Sequence, residues 1–188
     1  MKVYDNRIEM ISSLLSKGSS LAEIGIFKGV FSEKIQEIIC PSSFLMIDLF
    51  SGKTGSGDQD GNNYQDADMN NEYNRLTAWS KSYPNIKILK GDSSKILETL
   101  EDNSLCAIYI DGDHSYEGCK KDLLVSYKKV KNGGFIMGHD YEMNMVKAKK
   151  NHVFGVKKAV DEFCSNFKQE ICAKGNDGCV SYAIKLSK

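Results

Sequence analysis

The chain has 188 residues, with 25 Lys plus Arg against 25 Asp plus Glu and a formal net charge of zero. That length suits one domain spanning 1–188 with room for a sizeable core, and the balanced charge lacks the basic excess of nucleic-acid-binding surfaces. No apolar run approaches the ~20 residues of a membrane span, and the polar start Met1-Lys-Val-Tyr-Asp5 has no signal-peptide core.

In chain order, residues from about Asp5 to Ser16 read as a helix with Ile8, Ile11, Leu14 and Leu15 at helical spacing, stopped by Lys17-Gly18. Ser20 to Ile24 reads as a strand. The loop Gly25-Ile-Phe-Lys-Gly29 follows, then a helix to Ile39 expected to bury Val30, Ile35, Ile38 and Ile39. The strand Phe44 to Ile47 ends at Asp48. From about residue 50 to 71 the chain is dense in Gly, Asp, Asn, Ser and Gln, and a polar insertion of that length reads as a substrate lid. Its Asp58-Gln-Asp60-Gly61 lacks the glycine at position six and the glutamate at twelve that a calcium loop needs.

A helix around Leu76 and Trp79, the strand Ile86 to Leu89, and a short helix capped by Gly91-Asp92-Ser93-Ser94 come next. The strand Cys106 to Ile110 runs into Asp111-Gly-Asp-His114, and a helix from Tyr116 to Val130 should turn Leu123, Leu124, Tyr127 and Val130 inward. The strand Phe135 to Met137 runs into Gly138-His-Asp-Tyr141, and a helix from Gly155 to Phe167 is built on Val156, Ala159, Val160 and Phe163. Glu170 to Ala173 and Val180 to Leu186 form a hairpin across Lys174-Gly-Asn-Asp-Gly178. The alternation predicts an α/β fold: a Rossmann-like, doubly wound, seven-stranded sheet, mostly parallel, with an antiparallel C-terminal strand. The six cysteines have no C-x-x-C or zinc spacing, which points to free thiols in a reducing, cytoplasmic setting. The basic spots Lys128-Lys129 and Lys147 to Lys150 read as solvated faces, and His152 as a surface residue.

In such a sheet, ligands sit outside the carboxyl ends of the strands. Polar residues gather there: Glu23, Gly25 and Gly29 after the first strand, Asp48 after the second, Asp92 and Ser93 after the third, Asp111 after the fourth. Phe27 stands where a dinucleotide fingerprint has its second glycine, so a pyrophosphate would be crowded and a nicotinamide cofactor is disfavoured. An acid placed like Asp48 accepts hydrogen bonds from ribose hydroxyls. Asp92 and Ser93 could contact an adenine amino group or cap the helix that follows.

On these residues the chain resembles the class I S-adenosylmethionine-dependent methyltransferases. Glu23-Ile-Gly25-Ile-Phe-Lys-Gly29 matches their first motif, Asp48 the ribose-binding acid, Lys90-Gly-Asp92-Ser93 the adenine-side motif, and the hairpin their last strands. Tyr109-Ile-Asp-Gly-Asp-His-Ser-Tyr116 with Gly134-Phe-Ile-Met-Gly-His-Asp-Tyr141 is similar to a narrower group that includes the macrolide and aminocoumarin sugar O-methyltransferases. The resemblance implies S-adenosyl-L-methionine held by Glu23, Gly25, Phe27, Gly29, Asp48, Asp92, Ser93 and Asp111. It also implies a small, sugar-like acceptor and a divalent metal held by an acid matching Asp111 with paired acids after the fifth strand. The base falls at a position matching Asp113 in some members and His114 in others.

A sugar hydroxyl is a poor nucleophile and needs a positioned base, a metal that lowers its pKa, or both. Asp111, His139 and Asp140 offer oxygen and imidazole ligands suited to Mg²⁺ or another divalent cation. Asp113 and His114 are then the rival bases. His139 departs from the resembled pattern, which has a carboxylate there, and so lowers the charge of the site. A non-catalytic nucleoside- or partner-binding module on the same fold is the alternative, but a pure binder has no need of a base.

Overall fold

The computed structural model describes residues 1–51, 65–143 and 154–188. In order, the elements are β1 (Lys2–Tyr4), α1 (Arg7–Leu14), β2 (Leu21–Ile24), α2 (Val30–Ile39), β3 (Phe44–Asp48), α3 (Asp66–Ser80), β4 (Ile86–Lys90), α4 (Ser93–Glu98), β5 (Leu105–Ile110), α5 (Tyr116–Lys129), β6 (Val130–Met143), α6 (Val156–Phe167), β7 (Ile171–Asn176) and β8 (Cys179–Lys185).

Side chains alternate between the two faces of a strand, and that alternation sorts the helices into layers. Ala107 and Tyr109 of β5 face a cluster built with Met10, Ile11, Phe31, Ile35 and Leu76, from α1, α2 and α3. Ile108 and Ile110 face the other way, onto Leu97, Leu123, Val160 and Phe163 from α4, α5 and α6. The central strands are therefore apolar on both faces, as covered parallel strands are.

The sheet order is β1-β7-β8-β6-β5-β2-β3-β4. β2 pairs in parallel with β3 on one side and with β5 on the other, Leu21 lying opposite both Phe44 and Ala107. The chain thus winds outward from β2 to β4, then crosses back to β5, which makes the gap between the ends of β2 and β5 the topological switch point. β8 runs antiparallel to both β6 and β7.

The structure corrects several expectations. The sheet has eight strands rather than seven, because β1 adds in parallel beside β7, with Lys2 opposite Ala173. Three residues of which only Tyr4 is buried carry no readable alternation. Val30 is 70% exposed instead of buried. The helix starts after Gly29 in the left-handed region, and that start turns Phe31, Ile35 and Ile39 to the sheet instead. Leu124 faces outward for a similar reason, since Cys119, Leu123 and Ser126 already fill the inward stripe of α5. The polar insertion is in part helical, as α3 begins at Asp66. Residues 52–64 of the proposed lid, His152 and the run Lys147 to Lys150 lie outside the described residues. All six cysteines are free thiols. Among the described residues no helix is long and apolar enough to cross a membrane.

Candidate active site

A cleft of about 490 Å³ opens at the switch point, and Glu23, Gly25, Phe27, Asp48, Asp92, Ser93, Asp111, Asp113 and His114 all line it. Gly29 sits just behind. It caps α2 with φ of +70°, and a Cβ there would lie 2.4 Å from Leu76 Cδ2. Gly25 is the tighter requirement. Its φ is +82°, and a Cβ would fall 2.0 Å from the Asp111 carbonyl oxygen, so the β2 and β5 exits can pass each other only at a glycine.

Asp48 is turned onto the glycine loop. Its Oδ2 accepts hydrogen bonds from the backbone N–H groups of Ile26 (2.7 Å) and Phe27 (2.9 Å), and its Oδ1 from that of Phe50 (2.6 Å). With three of its roughly four acceptor positions taken, the carboxylate shapes the loop as well as facing the cleft. Asp92 caps α4, with Oδ1 accepting from Ser94 Oγ (2.6 Å) and Lys95 N–H (3.1 Å). Ser94 and Lys95, joined by the Lys121 ammonium, hold its carboxyl down at about 2. Ser93 Oγ donates instead to Asp122 Oδ1 at 2.6 Å. Glu23 is buried, which pushes its carboxyl up to about 8, and its Oε2 has no hydrogen-bond partner among the described residues.

At the β5 and β6 ends the acid–histidine residues converge. His114 Nε2 lies 3.2 Å from Asp140 Oδ2 and 3.5 Å from Asp111 Oδ1, with its ring stacked on Phe154. His139 Nδ1 lies 3.3 Å from Asp140 Oδ2 and 3.8 Å from Asp111 Oδ1. Burial lowers the His139 imidazole, but the Asp140 and Asp111 carboxylates outweigh it and hold its pKa above the ordinary value. For Asp140 the balance reverses: burial raises the carboxyl, and the two histidines bring it below the usual range. The register shift between Gly138 and Glu142 in the β6–β8 ladder is what aims these side chains. Asp140 itself adopts φ of +57°, a strained conformation of the kind that clusters at functional sites. Asp113 does not join them. Its Oδ1 accepts from Ser115 N–H at 2.9 Å, and its carboxyl packs against Gly118 at the start of α5.

The family model described as a methyltransferase domain matches residues 22–141, the stretch from β2 to the β6 end. The chain belongs to the methyltransferase domain family. It is an enzyme that uses S-adenosylmethionine. Similar solved structures include the O-methyltransferase NovP, 19% identical with a TM-score of 0.67, covering 97% of this chain and 80% of that one. A SAM-dependent methyltransferase from Aquifex aeolicus is 14% identical with a TM-score of 0.63, over 97% and 91% of the two chains. The N-methyltransferase NodS from Bradyrhizobium japonicum WM9 gives the same identity and TM-score, over 97% and 95%. Among curated proteins no sequence matches. Since the neighbours include both O- and N-methyltransferases, the fold alone leaves the acceptor atom open.

The methyltransferase's cleft fits a nucleoside-bearing cofactor. The Glu23 carboxyl, buried and with one oxygen lacking a hydrogen-bond partner among the described residues, lines it beside Asp48 and the positive-φ turn at Gly25. Ligand atoms of Asp111, His139 and Asp140 lie within 4.8 Å of one another, a spacing one cation could bridge. Asp111 divides its oxygens there, Oδ2 toward Arg7 and Oδ1 toward the histidines, so the donor set remains compatible with a cation.

Three residues of the site escape sequence reasoning. Arg7, from α1, lies 3.2 Å from Asp111, and nothing in its local sequence marks it. Asp177, in the β7–β8 turn, lies 3.3 Å from Arg7 Nε and 3.6 Å from His139 Nε2. Asp122 is 3% exposed, and burial pushes its carboxyl up to about 6. Only Asp122 had a signal, as an acid at helical spacing between the inward residues Cys119 and Ser126.

Proposed function

We propose that this methyltransferase methylates a hydroxyl oxygen of a small, sugar-like acceptor, with His114 as general base. The observation that carries the reading is the position of the His114 imidazole. It lines the same cleft as the glycine loop while lying against the carboxylates of Asp140 and Asp111. Two acids beside an imidazole orient it and stabilise the imidazolium that forms as it takes a proton. Asp113, the rival base, is engaged by the Ser115 N–H as a turn-forming group. The sugar-like acceptor rests on the resemblance of the two acid–histidine motifs to the sugar O-methyltransferases.

Bound S-adenosylmethionine supplies an electrophilic methyl group on a sulfonium. The acceptor oxygen forms its bond to the methyl carbon as the carbon–sulfur bond breaks, and the hydroxyl proton passes to His114. Orientation in the cleft supplies much of the acceleration. A divalent cation, when bound by Asp111, His139 and Asp140, would supply Lewis acidity toward the acceptor hydroxyl.

The test is incubation with methyl-labelled S-adenosylmethionine and a panel of free and nucleotide-linked sugars, with the product located by NMR. An O-methyl signal on a sugar ring is expected. Transfer only to nitrogen acceptors would overturn the reading.

A further inference from the structure

The strand order lays the polar residues of the cleft in a line. From β4 through β3 and β2 to β5, the strand ends present Asp92 and Ser93, then Asp48, then the glycine loop, then Asp111. Those three strand spacings span roughly 14 Å. With adenine at the β4 end and ribose at Asp48, an extended S-adenosylmethionine brings its amino-acid end to β5. A zwitterion must be received there, one ammonium and one carboxylate on the same α-carbon.

Asp111 can receive the ammonium. For the carboxylate, the cleft offers a guanidinium. Arg7 lines this end and is a quarter exposed. It is clamped from three sides: Nη1 lies 3.2 Å from Asp111 Oδ2, Nε lies 3.3 Å from Asp177 Oδ2, and the guanidinium rests 4.2 Å over the Phe31 ring. A guanidinium has five N–H donors in a rigid fork. Those two ion pairs and a hydrogen bond to the Tyr109 hydroxyl engage three donors and leave two for another planar anion. The clamp removes the rotamer cost of holding a long side chain in place, and an Arg–Asp pair alternates in charge as the zwitterion does. Arg7 also lies outside residues 22–141, so the family match says nothing of it.

We infer that Arg7, presented by α1, receives the α-carboxylate of S-adenosylmethionine beside Asp111, and that α1 thereby completes the cofactor site. The decisive comparison is calorimetric binding of S-adenosylmethionine and its decarboxylated analogue, which keeps the ammonium and lacks only the carboxylate. Wild type should bind the intact cofactor about ten- to a hundred-fold more tightly. Arg7→Ala should abolish that preference by weakening the intact cofactor alone, and Arg7→Lys should restore part of it. Unchanged discrimination in Arg7→Ala would overturn the proposal, as would equal weakening of both ligands, the mark of a purely structural residue. Failure of the wild type to bind S-adenosylmethionine would instead overturn the cofactor assignment, and the proposal with it.

Discussion

His114 Nε2 stands 3.2 Å from Asp140 Oδ2, joining the loop after β5 to the bulge of β6. Neither segment lies beside the other in sequence, yet the parallel pairing of Tyr109 with Met137 and Ile110 with Gly138 delivers both to one corner of the cleft. If that imidazole is the base, His114→Ala lowers turnover by ~10²–10⁴ with cofactor affinity nearly unchanged. Asp113→Asn should cost much less. Steady-state kinetics on both variants decide the matter, and full turnover in His114→Ala removes the histidine from the mechanism.

The close passage of the loops leaving β2 and β5 tolerates no side chain at Gly25. Gly25→Ala combines a positive φ with an overlap against backbone, so the strand ends must separate. Loss of at least ~3 kcal/mol of stability is expected, together with loss of cofactor binding. A urea melt that matched wild type would mean the exits can relax.

The buried Glu23 carboxyl makes stability depend on pH. Burial raises its pKa to about 8 in the folded chain, above the ordinary 4.5, so the folded state binds a proton that the unfolded state has released. Stability from this group is therefore fully present below pH 4.5 and is lost as pH rises through about 8. Asp122 acts in the same direction, but its share is gone soon after pH 6. Glu23→Gln should flatten the melting temperature between pH 6 and 8 in cofactor-free protein. An identical pH profile in the variant would show that Glu23 ionises normally.

Chelation tests the cation. If Asp111, His139 and Asp140 hold one during turnover, dialysis against a chelator lowers the rate and Mn²⁺ or Mg²⁺ restores it, with His139→Ala weakening the restoration. A rate indifferent to chelator leaves the imidazole and its carboxylates as the complete machinery.

Much of the fold was readable from the sequence because amphipathic periodicity is a property of consecutive residues. Val156, Ala159, Val160 and Phe163 were expected inward on α6, and all four are buried. Val30 failed because a helix's rotation depends on how it leaves the preceding loop, and the loop's left-handed exit at Gly29 is a tertiary matter. The acid–histidine motifs were legible as a polar cluster, since carboxylates and imidazoles gathered at strand ends have no packing purpose. Which of them converge was not. Asp113 and His114 are neighbours of similar promise in sequence, and only the turn into α5 ties one to the Ser115 N–H and leaves the other beside Asp140.

The sequence by itself determined the α/β alternation, the glycine loop and the residues that gather at the carboxyl edge, because turn chemistry and hydrophobic period act over a few residues. Only the tertiary structure decided which of them touch. Arg7 and Asp111 are 104 residues apart along the chain, and their ion pair exists because α1 packs beside β7 while β5 lies next to β2. Contacts of that range are fixed by how the layers pack, and no local pattern carries them.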